Sequence, residues 1–177
     1  MLHKIKIMED IITTPTINKL EKMMCTKKIP FTFLHKSTFD GSDDYYFEHC
    51  IVERKELGLN NRIKSQYASN FIDLFKDICR KLEIGDTEIY RSALNLTVNN
   101  QVKKCKVHTD HDFKHRQILI YLNDADKKSK TVILNNKNKV LKKIIPKKNR
   151  GVFFGNLPHY HFFPTKGYRA VLVYTFK

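Results

Sequence analysis

From residue 88 to the C-terminus the chain offers strands and no helices. Short apolar runs recur at 89–98, 103–108, 116–123, 131–134, 140–145, 151–154 and 168–176. Polar turn residues separate them, at Asn99-Asn100, Asp124-Ala125-Asp126, Asn135-Asn136 and Gly155-Asn156. A parallel doubly wound sheet needs helices alternating with its strands, and none alternate here. Seven or eight short strands behind a helical N-terminal part predict a β-sandwich or jelly roll.

The first half reads differently. The spacing of Ile63, Tyr67, Phe71, Phe75, Ile78 and Leu82 predicts a helix over 61–82 with one apolar stripe, suited to packing on the outside of a sheet. A shorter helix is expected over 11–24 around Ile17, Leu20 and Met23. Strand fragments are expected at 31–34 and 45–47, with a polar turn over 39–44 between them.

At 177 residues, 41% of them hydrophobic, the chain is one domain with enough apolar material for a core. It contains no run of 18 apolar residues, so no membrane span is expected. Its first residues lack the apolar stretch and small-residue cleavage site of a secretory signal, so an intracellular, cytoplasmic location is expected. Cys25, Cys50, Cys79 and Cys105 are widely spaced without a Cys-x-x-Cys pair and read as free thiols rather than a disulfide or zinc framework. The lysine- and asparagine-rich composition suits an AT-rich genome such as that of a virus or phage.

The charge is uneven. Of a net +15, thirteen positive charges and no negative one fall between Lys127 and Lys177. Such a field attracts a polyanion or an acidic partner. The plainer reading is a solvated lysine-rich surface.

Against this background a few polar residues stand out. His108 and Asp110 lie two apart, so on a strand they face the same way. His159 and His161 form a second pair at the same spacing, and Arg169 follows on an apolar strand beside Val171, Val173 and Thr175. Two histidines and one carboxylate can hold Fe(II) by one face and leave positions open for a co-substrate and oxygen. Either His159, which follows Pro158, or His161 as its alternative supplies the third ligand. Arg169 on an apolar face needs an anion, because burying it unpaired is costly and this stretch has no acid. The carboxylate of a 2-oxo acid is one such anion; solvent at a strand end is the other answer.

In this order and spacing the residues resemble the Fe(II)/2-oxoglutarate-dependent oxygenases, in particular their prolyl-4-hydroxylase-like branch. The resemblance covers about residues 89–176. His108-Thr109-Asp110 is similar to the family's His-x-Asp, and Ile120-Tyr121-Leu122-Asn123 to the strand that follows it. Gly151-Val152-Phe153-Phe154 resembles the strand before the distal histidine. Pro158-His159 through Pro164 to Arg169 resembles that histidine, a proline and the co-substrate arginine.

The resemblance implies a double-stranded β-helix core, a jelly-roll or cupin-like variant, over 88–177, with 1–87 as helical support and lid. It implies Fe(II) on His108, Asp110 and His159, and 2-oxoglutarate held by Arg169 and Tyr121, with ascorbate as a reductant. It also implies hydroxylation of a protein or peptide side chain, proline first. Two departures matter. Nucleic-acid demethylases of the superfamily carry a second arginine six residues after the first, and here that position is Thr175. Many relatives have Ser two residues after the arginine, and here it is Val171, which leaves more of the anchoring to Tyr121. The competing expectations are an oxygenase acting on nucleic acid or nucleotide, and a non-enzymatic basic β module that binds nucleic acid.

Overall fold

The structure is a computed structural model and describes residues 5–26, 28–35 and 44–177. The expected turn over 39–44 lies, except for Asp44, outside the described residues. Among the described residues, ten strands and two α-helices follow one another as β1 (Lys6–Met8), α1 (Thr14–Met24), β2 (Thr32–Leu34), β3 (Tyr46–Val52), α2 (Ala68–Lys81), β4 (Ile89–Val98), β5 (Arg116–Tyr121), β6 (Thr131–Leu134), β7 (Val140–Ile144), β8 (Gly151–Gly155), β9 (His159–His161) and β10 (Tyr168–Phe176).

Seven strands form one antiparallel sheet in the order β1-β8-β5-β10-β4-β3-β2, and three form a second in the order β7-β6-β9. Apart from β2–β3 and β6–β7, paired strands are far apart in sequence, as in a jelly roll wound from two facing sheets. The protein is mainly β, with a double-stranded β-helix core and its helices in the N-terminal part. That N-terminal part also contributes strands: β1 pairs with β8, and β3 with β4.

The large sheet has two unlike faces. Leu94, Ile118, Ile120, Leu172 and Tyr174 point to the helices, where Ile17 and Leu20 of α1 and Phe71, Phe75 and Ile78 of α2 cover them. Burying each such side chain contributes roughly 1.5–3 kcal/mol. The Tyr174 hydroxyl donates to the Phe71 carbonyl at 2.8 Å, so even the polar atom at this seam is satisfied. On the other face Leu119, Tyr121, Val171 and Val173 form a second core cluster with Ile133 of the small sheet.

Both helices begin later than the periodicity suggests, for local reasons. Pro15 sits in the first turn of α1, where its fixed φ and missing N–H do no harm. Ile11 and Ile12 are instead tied by their N–H groups to the carbonyl and side chain of Asn149. Ahead of α2, Asn61 closes a turn onto the Ile63 N–H, Ile63 bridges Val52, and Ser65 Oγ accepts from the Tyr67 N–H. Tyr67 thus packs against the core ahead of the helix, while Ile63 is exposed and leaves the expected stripe.

The expected strand over 103–108 is reduced to two isolated bridges, Lys104 with Phe162 and His108 with His159. The bridges are four residues apart on one side and three on the other. This bulge breaks the ladder and turns His108 inward along with Cys105. The remaining runs of the C-terminal half match the observed strands to within two residues at either end.

Candidate active site

The inner face of β9 and the bulged segment opposite it meet at the end of the space between the sheets. His108 and His159 exchange both backbone hydrogen bonds, at 3.0 and 2.9 Å, and their rings lie 4.6 Å apart. His159 Nε2 is 3.6 Å from Asp110 Oδ2. Asp110 Oδ2 is buried and accepts no hydrogen bond. His159 Nδ1 faces the Leu157 carbonyl at 3.1 Å and His108 Nδ1 the Lys106 carbonyl at 2.9 Å. In the neutral His159 ring, an Nδ1–H that donates to the Leu157 carbonyl leaves Nε2 as a lone pair, the tautomer a metal ligand needs. Among the described residues no three His, Cys, Asp or Glu side chains already close around a common point. The donors fit a divalent ion by type and by adjacency, with one carboxylate oxygen otherwise unmatched.

The electrostatics follow from burial. Burial, reinforced by the neighbouring His108, pushes His159 down to about 4, so it is neutral at pH 7. Burial alone would raise Asp110, but His159, His108, Arg91 and Arg54 outweigh it and hold the carboxyl well below the usual range. Burial would lower His108; Cys105 and Asp110 reverse this and raise it.

His161 shares the inward face of β9 but takes a different partner. Its Nδ1 is 3.2 Å from Cys105 Sγ, and its buried Nε2 has no hydrogen-bond partner. Both distal histidines therefore line the cavity, and His159 is the one in contact with His108 and Asp110.

Arg169, the second residue of β10, is 3% exposed. The turn before it uses Gly167 at φ +66, a conformation side chains other than glycine's resist. One guanidinium nitrogen donates to Thr131 Oγ1 at 2.9 Å, and the guanidinium carbon lies 5.3 Å from the Tyr121 ring centre. Nε is buried with no partner. Among the described residues no carboxylate lies within ion-pair distance of Arg169, and burial lowers its pKa. The Tyr121 hydroxyl also donates to Thr131 Oγ1, at 2.7 Å. Thr131 joins both, and nothing in the sequence marked it out.

A second buried arginine lines the same cavity. Arg91 of β4 is ion-paired to Glu48 of β3 and lies 3.7 Å from Asp110 Oδ1. The Tyr46 hydroxyl donates to Glu48, and Arg54 donates to the Asp110 carbonyl. Arg91, Glu48 and Arg54 were missed by the sequence reading. A charged residue inside the apolar run Ile89-Tyr90-Arg91-Ser92-Ala93 was the available signal.

The enclosed space measures about 90 Å³ and reaches from His108, Asp110 and His159 to Thr131 and Arg169. A larger groove of about 680 Å³ between α1 and α2 is lined by residues such as Leu20, Met23 and Phe71 and contains no histidine.

No family model matches this sequence, and no curated protein matches it. Solved structures do. An oxidoreductase of the 2OG-Fe(II) oxygenase family from Burkholderia pseudomallei superposes with a TM-score of 0.80 at 10% identity, over 98% of this chain and 84% of its own. The fold is that of a 2-oxoglutarate/Fe(II) oxygenase. A Pseudomonas putida prolyl-4-hydroxylase shares it at TM-score 0.64 and 14% identity, over 99% and 94% of the two chains. So does a Trichoplax adhaerens prolyl hydroxylase in complex with a peptide fragment of the hypoxia inducible factor oxygen degradation domain, at 0.66 and 14%, over 97% and 82%.

Proposed function

We propose that the protein is an Fe(II)- and 2-oxoglutarate-dependent dioxygenase that hydroxylates a protein or peptide side chain, with proline the first candidate. The observation that carries this reading is Arg169, a buried cation without an acid, in one cavity with His108, Asp110 and His159. A dicarboxylate with one end on a metal and the other on Arg169 answers both unmatched groups at once. The fold shared with prolyl hydroxylases, one of them bound to a peptide, supports the choice of substrate.

In this reading His108, Asp110 and His159 hold the ion. Arg169 binds the far carboxylate of 2-oxoglutarate, and Thr131 and Tyr121 fix the guanidinium. Iron and the keto acid, when bound, would activate dioxygen, one oxygen atom passing to succinate as the keto acid loses carbon dioxide and the other into a substrate C–H bond. The chain orients the co-substrate, excludes water with the apolar wall of Leu119, Val171 and Val173, and keeps Asp110 ionised through Arg91 and Arg54. Tyr46 and Arg54, both from the chain before β4, reach the cavity and form the part of its rim that meets the substrate. Ascorbate serves as the reductant that keeps the ion ferrous.

Anaerobic optical titration with Fe(II) and 2-oxoglutarate tests the site. A visible charge-transfer band that needs both additives is expected. It should vanish in His108→Ala and His159→Ala and persist in His161→Ala. Loss only in His161→Ala would move the third ligand. No band in the folded wild-type protein would overturn the oxygenase reading. Hydroxylated product on a proline-containing peptide library, read by mass, checks the substrate class.

A further inference from the structure

We infer that the outer face of the small sheet binds single-stranded nucleic acid. Because β9 turns His159 and His161 inward, it turns Tyr160 outward, and Phe162 continues the alternation. Register places Lys143, Val132 and Tyr160 in one cross-strand row. The next row is Lys130, Phe162 and Lys104: the Phe162 N–H donates to the Lys130 carbonyl, and Phe162 bridges Lys104. The two rings are partly exposed, with centres 5.5 Å apart, and the Lys104 ammonium stands 4.6 Å over the Tyr160 ring.

The lysines of this face are unneutralised. Glu9 and Glu21 pair with Lys147, Lys148 and Arg150. Among the described residues no acid pairs with Lys104, Lys130 or Lys143. Lys143 is exposed on β7, the edge of the sheet. Rings flanked by cations at sheet spacing suit a single strand: unpaired bases stack on the rings, and phosphates meet the ammonium groups. A duplex hides its base faces from the two rings. An acidic protein would use the lysines and leave the rings without a role. Tyr160 also borders the cavity that holds His108, Asp110 and His159, but the inference rests on the rings and lysines of this face and not on the oxygenase reading.

Fluorescence anisotropy of a labelled twelve-residue oligothymidylate with the full chain, without metal, tests it. Three phosphate contacts predict a log–log salt slope near −2, or about 20-fold weaker binding at 200 than at 50 mM salt. Phe162→Leu keeps the apolar bulk and removes the stacking ring; it should weaken binding about fivefold or more. Lys104→Gln with Lys143→Gln should flatten the slope by roughly 1.4. All variants are checked for an unchanged melting temperature; if Phe162→Leu melts early, Tyr160→Leu takes its place. The inference fails if the oligothymidylate does not bind at 50 mM salt. It also fails if polyglutamate or a duplex of equal charge competes as well as the single strand, or if both ring variants bind like the wild type.

Discussion

Arg91 and Arg169 are both buried in the wall of one small cavity, and they are held in opposite ways. Arg91 is fully compensated: Glu48 pairs with it, Asp110 is 3.7 Å away, and these acids raise its pKa against the pull of burial. Arg169 has a hydroxyl, a ring face and one unmatched nitrogen, and burial lowers its pKa. A buried charge costs several kcal/mol unless something repays it. The fold itself provides for Arg91, while Arg169, in the proposed function, awaits a ligand. The difference separates a cation that builds the site from one that uses it.

The comparison breaks most readily at Arg91. Arg91→Met should cost about 3–5 kcal/mol in urea unfolding, because it strands Glu48 and Asp110 in the interior. An unfolding midpoint within error of the wild type would show that the pair is dispensable. Arg169→Met should do the reverse. Unfolding stability should hold or rise, since an uncompensated charge is removed. Affinity for 2-oxoglutarate, followed by calorimetry with Fe(II) present, should fall by about 2–5 kcal/mol, or roughly 30-fold or more. Parallel loss of stability and no loss of affinity would make Arg169 a structural residue like Arg91.

Smaller effects sharpen the contrast. Thr131→Val removes the acceptor shared by Arg169 and Tyr121 and should cost about 1–3 kcal/mol of stability. Tyr121→Phe deletes one donor and keeps the ring under the guanidinium, so about 1 kcal/mol is expected. As a baseline, Arg80→Ala on the exposed face of α2, where Arg80 pairs with Asp77, should change stability by no more than about 0.5 kcal/mol.

What could be read in advance depended on range. The strands 89–98, 131–134 and 168–176 were legible to the residue, because alternation and turn residues are local signals. The inward face of β10 was legible too: Arg169, Val171 and Val173 do line the space between the sheets. The helix starts were not, since Asn149, distant in sequence, takes the backbone groups of Ile11 and Ile12, while Ile51 and Glu53 take those of Lys64 and Arg62. Nor was the bulge over 104–108, which exists only in register with β9.

The candidate site divides along the same line. His108, Asp110, His159 or His161, and Arg169 could be put forward as candidates from residue type and spacing, because metal and carboxylate chemistry restricts which residues serve. That Thr131 joins Arg169 to Tyr121, or that Glu48 and Asp110 face Arg91, could not. Those contacts cross between strands whose pairing is set by the whole hydrophobic pattern. The sequence by itself determined the strand-rich core, the charge imbalance and the short list of reactive side chains. The tertiary structure alone decided which buried charge received a partner, because compensation depends on distance in space between residues that the chain keeps far apart.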